Sequence, residues 1–152
     1  MQIRVDDLSG PEIARLLQAH LDNSRLWSPP SSIHALDLDR LRVPEITMWT
    51  AWDGGELLGC AALKELDTES GEIKSMHTVR EHRRRGVGAA LLSHIIEVAR
   101  ARRYRRLNLE TGSMAAFAPA RSMYARFGFC DAGPFAGYQP DPNSCFMTLE
   151  LR

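Results

Sequence analysis

The stretch that most constrains this chain runs from Ile73 to Ala90, IKSMHTVREHRRRGVGAA. Ile73 to Val79 reads as a strand, and the chain turns through Arg80, Glu81 and His82. Three arginines and Gly86-Val87-Gly88 follow, and then a helical pattern in which Val87, Leu91, Ile95 and Val98 recur on one face. Strand, basic glycine turn and helix N-terminus together make a device for holding an anion. Glycine lets the backbone bend and approach a ligand with no Cβ in the way. The first N–H groups of a helix have no internal partner, and the helix dipole adds positive character there. Arginines beside such amides suit phosphate oxygens. Two nucleotide-binding patterns fit less well. A Walker A loop ends in Gly-Lys-Ser/Thr, absent here, and a dinucleotide fingerprint needs G-x-G-x-x-G where this chain has only G-x-G.

Charge is distributed to match. The 152 residues have a formal net charge of zero. Residues 1–72 nevertheless hold thirteen acids and six bases, a balance of −7, while residues 80–106 hold nine arginines against Glu81 and Glu97, a balance of +7. A local basic field centred on the glycine turn is what a small polyanionic ligand requires. Arg100, Arg102, Arg103, Arg105 and Arg106 read instead as a solvated helix face. A nucleic-acid surface would spread its basic residues over an extended face with exposed aromatics, so no nucleic-acid partner is expected. The length suits a single domain over 1–152 with a real core. No apolar run approaches the roughly 20 residues of a membrane span, so no membrane partner is expected either. The N-terminus lacks the apolar region of a signal peptide. Cys60, Cys130 and Cys145 are odd in number and scattered. That spacing points to reduced thiols in a cytoplasmic protein, with no metal site. Cys130 and Cys145 read as small core residues.

Along the chain, Gln2 to Val5 reads as a first strand, and a helix starts at Ser9 or Gly10 before Pro11 and runs to about His20. Asn23 to Ser32 is loop, and a short helix around Ala35 to Leu41 ends before Pro44. Ile46 to Trp52 and Leu57 to Leu66 flank a D-G turn as a hairpin, with Trp49 and Trp52 packing on the sheet. Arg106 to Thr111 is a strand, and a helix follows within Phe117 to Phe129. Cys130 to Tyr138 and Ser144 to Leu151 close the chain as two strands. The resulting order is βααββββαβαββ.

Arg83-Arg84-Arg85-Gly86-Val87-Gly88 resembles the R/Q-x-x-G-x-G/A signature of the GNAT (GCN5-related) N-acetyltransferases. A second block is similar as well: Ala120, Met123, Tyr124 and Gly128-Phe129 match the family's A-x-x-L-Y-x-x-x-G-F. The two blocks cover roughly residues 72–129, and the whole chain resembles the YsnE-like subgroup. Phe117 departs from the pattern, standing where an asparagine is often found and leaving one usual CoA contact open. The resemblance implies an α+β fold, an α/β sandwich whose mixed, mostly antiparallel central sheet is flanked by helices and has splayed central strands. It implies acetyl-CoA as co-substrate, with Arg83, Arg84, Arg85, Gly86, Val87, Gly88 and Ala89 on the pyrophosphate. By position, Met76, His77 and Thr78 would lie along the pantetheine arm and acetyl group. Tyr124 would be the general acid that protonates the leaving thiolate, as a phenol with pKa near 10 can at neutral pH.

Glu72, at the start of the central strand, stands where histone-type members carry a catalytic glutamate and is the first candidate for general base. Glu110 on the neighbouring strand is its rival. His77 is a third by chemistry, although strict alternation along a strand would put it and Glu72 on opposite faces. The α1–α2 region of the resembled fold walls the acceptor site, which makes His34, Asp37 and Asp39 candidate substrate contacts; the alternative is that they are solvated side chains and helix caps. The expected partner is a small-molecule amine, attacked directly in a ternary complex. A protein lysine or N-terminus, or a non-catalytic acyl-CoA-binding regulatory module, are the alternatives. Homodimers are common in the resembled family.

Overall fold

Alternating apolar residues run through most of the predicted strands. The computed structural model describes residues 1–27 and 38–152, without the side chains at 24, 25 and 27, and gathers these strands into one seven-stranded sheet. In chain order the elements are β1 (Gln2–Asp6), α1 (Pro11–Trp27), α2 (Leu38–Leu41), β2 (Ile46–Asp53), β3 (Glu56–Asp67) and β4 (Ser70–Thr78). They continue with α3 (Val87–Ala101), β5 (Arg106–Gly112), α4 (Ala118–Arg126), β6 (Cys130–Ala132) and β7 (Ser144–Glu150). The sheet order is β1-β2-β3-β4-β5-β7-β6. All neighbours are antiparallel except β4 and β5. This is the expected α+β sandwich.

Both faces of the sheet are covered, and the alternation of β3 shows why. Cys60 and Ala62 pack toward α1 with Ile13, Leu16 and Leu17. Ala61 and Leu63 pack toward α3 with Leu91, Leu92, Ile95 and Ala99. A strand buried on both sides reads as a continuous small-apolar run, which is the composition of Leu57–Leu63.

Several expectations are corrected. Three strands rather than four lie between α2 and α3, so the order is βααβββαβαββ. Helix α1 passes His20 and continues to Trp27, since residues 21–27 contain neither glycine nor proline to stop it. The strand expected over Cys130–Tyr138 stops at Ala132, where Gly133-Pro134 removes a ladder donor. Cys130 is exposed rather than a core residue; Cys60 is the buried cysteine.

The feature that positions the site lies in β4. It pairs with β5 only from Ser70↔Arg106 to Ile73↔Leu109. Beyond that point β4 stays with β3, while Glu110 to Gly112 stay with β7. The two central strands therefore part, as the resemblance implied. On its other side β4 carries a bulge: Ala62 faces Lys74 and Cys60 faces His77, so two residues of β3 span three of β4. The extra residue resets the alternation. Glu72, Lys74 and His77 all share the α1 face, opposite Lys64, Ala62 and Cys60. The expectation that Glu72 and His77 lie on opposite faces is thereby corrected.

Close contact at this junction depends on Gly59. A Cβ there would lie 2.8 Å from the His77 carbonyl oxygen and 2.9 Å from Val87 Cγ1. Gly59→Ala is expected to destabilise the protein by about 1–3 kcal/mol through overpacking against backbone. A fall in urea midpoint with unchanged m-value would show it; an unchanged midpoint would mean β3 and β4 can separate without cost.

Candidate active site

Where β4 and β5 part, the sheet opens into a cleft of about 720 Å³. One end is basic. Arg84 and Gly86 both have left-handed backbone, φ +65° and +80°, a tight turn in which glycine is the low-cost residue. Gly86 caps α3 with no side-chain hydrogen bond to the helix amides. The N–H groups of Val87, Gly88 and Ala89 are therefore left at the mouth of a 15-residue helix, and all three residues line the cleft with Arg83 and Arg84. Arg85 does not line it. Its guanidinium lies 3.5 Å from His82 Nδ1. His82 Nε2 is in turn 2.8 Å from Glu56 Oε1. A guanidinium only donates, so Nδ1 accepts and the Nε2–H donates to Glu56. This chain of contacts ties the basic turn to the β2–β3 hairpin.

The middle of the cleft holds Met76, Thr78, Ala120, Met123 and Tyr124. Tyr124 is buried, its ring edge-on to Phe129 with centroids 5.8 Å apart. Burial pushes its phenol up to about 12, so it stays protonated at neutral pH. Its hydroxyl is directed at the sulfur of Met76, 3.6 Å away. Phe117 also lines the cleft, its ring packed onto Gly112 so closely that a Cβ there would fall 2.2 Å from the ring. The residue in the asparagine position thus contributes apolar wall rather than a hydrogen bond.

The other end is polar and mixed in charge, lined by Asn23, Glu72, Lys74, Glu110, Asn143 and Ser144. Glu72 and Lys74 are paired at 3.0 Å with side chains only 3% and 8% exposed. Tyr138, from the segment between β6 and β7, donates to the same Glu72 oxygen at 2.7 Å and accepts from Lys74 at 2.8 Å. Burial, then the Glu72 carboxylate, hold the Tyr138 phenol well above its ordinary range. Glu72 Oε2 already serves two donors, so taking a proton there means breaking a buried pair. Glu110 lines the cleft just past the last β4–β5 pair.

His77 and His20 of α1 lie ring to ring, their Nδ1 atoms 3.3 Å apart. Burial lowers His20 to about 4. Burial, then the charges of His20 and Arg83, lower His77 to about 3. A base that weak cannot compete for the proton of an alkylammonium, whose pKa is near 10. Asp39 is exposed on α2 beside Arg42, 3.4 Å away; His34 and Asp37 lie outside the described residues. Among the described residues no group of three or more His, Cys, Asp or Glu side chains is arranged to hold a metal ion.

Sequence reasoning missed Lys74, Tyr138, His20 and the Glu56–His82 link. Lys74 alone carried a signal, as one of two lysines in an arginine-rich chain.

A sheet parted over a bare, basic helix N-terminus, with a buried phenol aimed at a sulfur beside the gap, defines an acyl-transfer fold. The comparisons give the particular family: the Acetyltransferase (GNAT) family matches residues 13–129. The chain belongs to the GNAT family and is an N-acetyltransferase. It is 58% identical over 151 residues to the uncharacterized N-acetyltransferase YsnE of Bacillus subtilis, covering 99% of this chain and 100% of that one. It is 41% identical to an IAA acetyltransferase of Azospirillum brasilense, covering 81% and 80%. A GNAT family acetyltransferase from Elizabethkingia anophelis, solved with acetyl-CoA bound, shares the fold at a TM-score of 0.71 and 20% identity over 98% of this chain and 97% of that one.

The neutral histidine pair makes stability depend on pH. Unfolded histidine titrates near 6.5, above the folded values of about 4 and 3. Between those limits the unfolded chain binds more protons. The pair's contribution is complete above pH 6.5 and is lost as pH falls toward 3. Urea midpoints measured from pH 7.5 to 5.0 should fall for the wild type and fall less steeply for His77→Gln. Parallel slopes would show that the pair is not the cause.

Proposed function

We propose that the protein transfers acetyl from acetyl-CoA to the primary amine of a small polar molecule by direct attack in a ternary complex. The observation that carries this reading is the Tyr124 hydroxyl, protonated and directed at the Met76 sulfur, in one cleft with a basic helix N-terminus and a polar cluster. In this reading Arg83, Arg84 and the amides of Val87, Gly88 and Ala89 hold the pyrophosphate. The unpaired inner edge of β4 past Ile73, which includes Met76, His77 and Thr78, lies along the pantetheine arm. The phenol would exchange the Met76 thioether for the leaving thiolate, a far better acceptor, and give it the proton.

The acceptor amine enters at the polar end. Glu72 and Lys74 sit well below the surface there, which favours a small molecule over a protein loop. Glu72 Oε2 is engaged by Lys74 and Tyr138, so the base in this reading is Glu110, which lines the same cleft, or a water. Glu72 serves in this reading as a positioning residue, through Lys74 and Tyr138. The acidic side chains at this end suit an acceptor that arrives as a cation and must lose a proton before attack.

Calorimetry tests the cofactor half. Acetyl-CoA should bind the wild type at micromolar concentration, and Gly88→Glu, which sets a carboxylate among the helix amides, should abolish binding. A wild type that ignores both acetyl-CoA and CoA would end the reading. An amine panel that includes polyamines, amino acids and aminoglycosides, with IAA added because the Azospirillum relative is named for it, tests the acceptor half. On any substrate found, Tyr124→Phe should lower kcat about 100- to 10,000-fold while acetyl-CoA affinity holds. Undiminished kcat would remove Tyr124 as the acid.

A further inference from the structure

Ser75 carries two costs at one position. Its φ of +52° lies in the left-handed region, where a side chain is unfavourable. Its hydroxyl is the one buried side-chain N or O among the described residues with no hydrogen-bond partner. Folded proteins rarely leave such a group unpaired, because burial removes its water and returns nothing. The strained backbone is actively held: the Cys60 thiol, fully buried, donates to the Ser75 carbonyl at 3.3 Å. Both costs fall on the extra residue of the β4 bulge, two residues past the last β4–β5 pair, in the wall of the cleft next to Met76. Strain and an unpaired donor concentrated in a cleft point to a ligand atom as the missing partner.

We propose that the Ser75 hydroxyl is a hydrogen-bond donor for the carbonyl oxygen of the acetyl group. The inference rests on the acetyl-CoA reading above. With acetyl-CoA in the gap, the hydroxyl turns about χ1 from the wall into the cleft and donates to the thioester oxygen. When the amine nitrogen bonds to the carbonyl carbon, the C=O π pair moves onto that oxygen, and the same O–H then faces an oxyanion, where a charge-assisted bond is stronger. When the C=O re-forms, the C–S bond breaks and its electron pair leaves on sulfur, which takes the Tyr124 proton. The nitrogen gives up its own proton to Glu110 or water. Ser75 neither gains nor loses a proton throughout.

The test needs no acceptor. Acetyl-CoA and CoA differ only in the group Ser75 is proposed to touch, so each is titrated into wild type, Ser75→Ala and Ser75→Gly. Removing one hydrogen bond should weaken acetyl-CoA binding about three- to tenfold and leave CoA binding unchanged. Ser75→Gly, which relaxes the left-handed residue, should fold at least as stably as wild type, so a poorly folded Ser75→Ala would not spoil the comparison. The carbonyl stretch of bound 13C-labelled acetyl-CoA should lie at lower frequency in wild type than in either variant. Equal affinities for acetyl-CoA across the three proteins, or parallel losses for both ligands, would overturn the proposal and leave the cofactor site standing. No binding of either ligand by wild type would instead remove the cofactor reading, and this proposal with it.

Discussion

Strand β4 must satisfy two neighbours that pull it apart, and most of the molecule follows from how it does so. It keeps β3 along its length but keeps β5 for only four registered pairs. A parted pair would normally leave two unprotected edges inside a sheet, each costly unless something covers it. The bulge relieves the mismatch by inserting Ser75, which twists the outgoing half of β4 away while the β3 ladder continues through His77 and Thr78. The same insertion decides which side chains meet: it turns His77 to the α1 side, against His20, and leaves Met76 packed against the α3 core, in reach of Tyr124. Backbone register therefore arranges the cleft before any charged group acts.

Charge then gives the cleft a direction. The acids of the first half and the arginines around the glycine turn cancel in total but not in place. At one end the helix amides are backed by Arg83 and Arg84; at the other, Glu72 is paired with Lys74 and Glu110 lines the same cleft. A ligand with a polyanionic head and a neutral thioester tail has one sensible orientation in that field. A cationic amine has the opposite preference, so two substrates would approach the gap from opposite ends without competing. Arg85, turned onto His82, adds stiffness to the basic turn rather than charge to its mouth. Pinning that turn to the β2–β3 hairpin through Glu56 favours a preformed site.

Features set by near neighbours in the chain were legible from sequence. The R-R-R-G-V-G turn, the start of α3 and the position of Tyr124 depend on spacing within one or two elements, and each lies where its pattern put it. What failed were inferences that assume regularity. Alternation along β4 breaks at Ser75, and nothing in KSMHT announces a left-handed serine. The Tyr138 contacts with Glu72 and Lys74 join residues 66 and 64 positions apart. The sequence pattern puts Tyr138 in a strand that in fact ends at Ala132. A residue moved from a strand to a returning segment changes every partner it can reach, and local pattern carries no trace of that.

The Glu72–Lys74–Tyr138 cluster is the costliest arrangement at the polar end of the cleft, and its cost argues for what it does. Burying a carboxylate and an ammonium together gains little over well-packed apolar residues, because desolvation offsets most of the attraction. Stability alone would therefore not favour burying the pair, whose cross-strand neighbours are Lys64 and Ala62. Orientation would. Three hydrogen bonds in a closed triangle fix the segment between β6 and β7 onto the strand that forms the opposite side of the gap. The Phe135 ring packs edge-on to Tyr138 and Phe146, and the Tyr138 and Phe146 rings are tilted at 43°, with centroids 5.2 to 6.0 Å apart. An acceptor held against that segment is thereby held at a set distance from β4. Acyl transfer gains rate from such positioning, with reacting atoms about 3–3.5 Å apart. On the proposed reading Glu72 acts by holding Lys74 and Tyr138 in place.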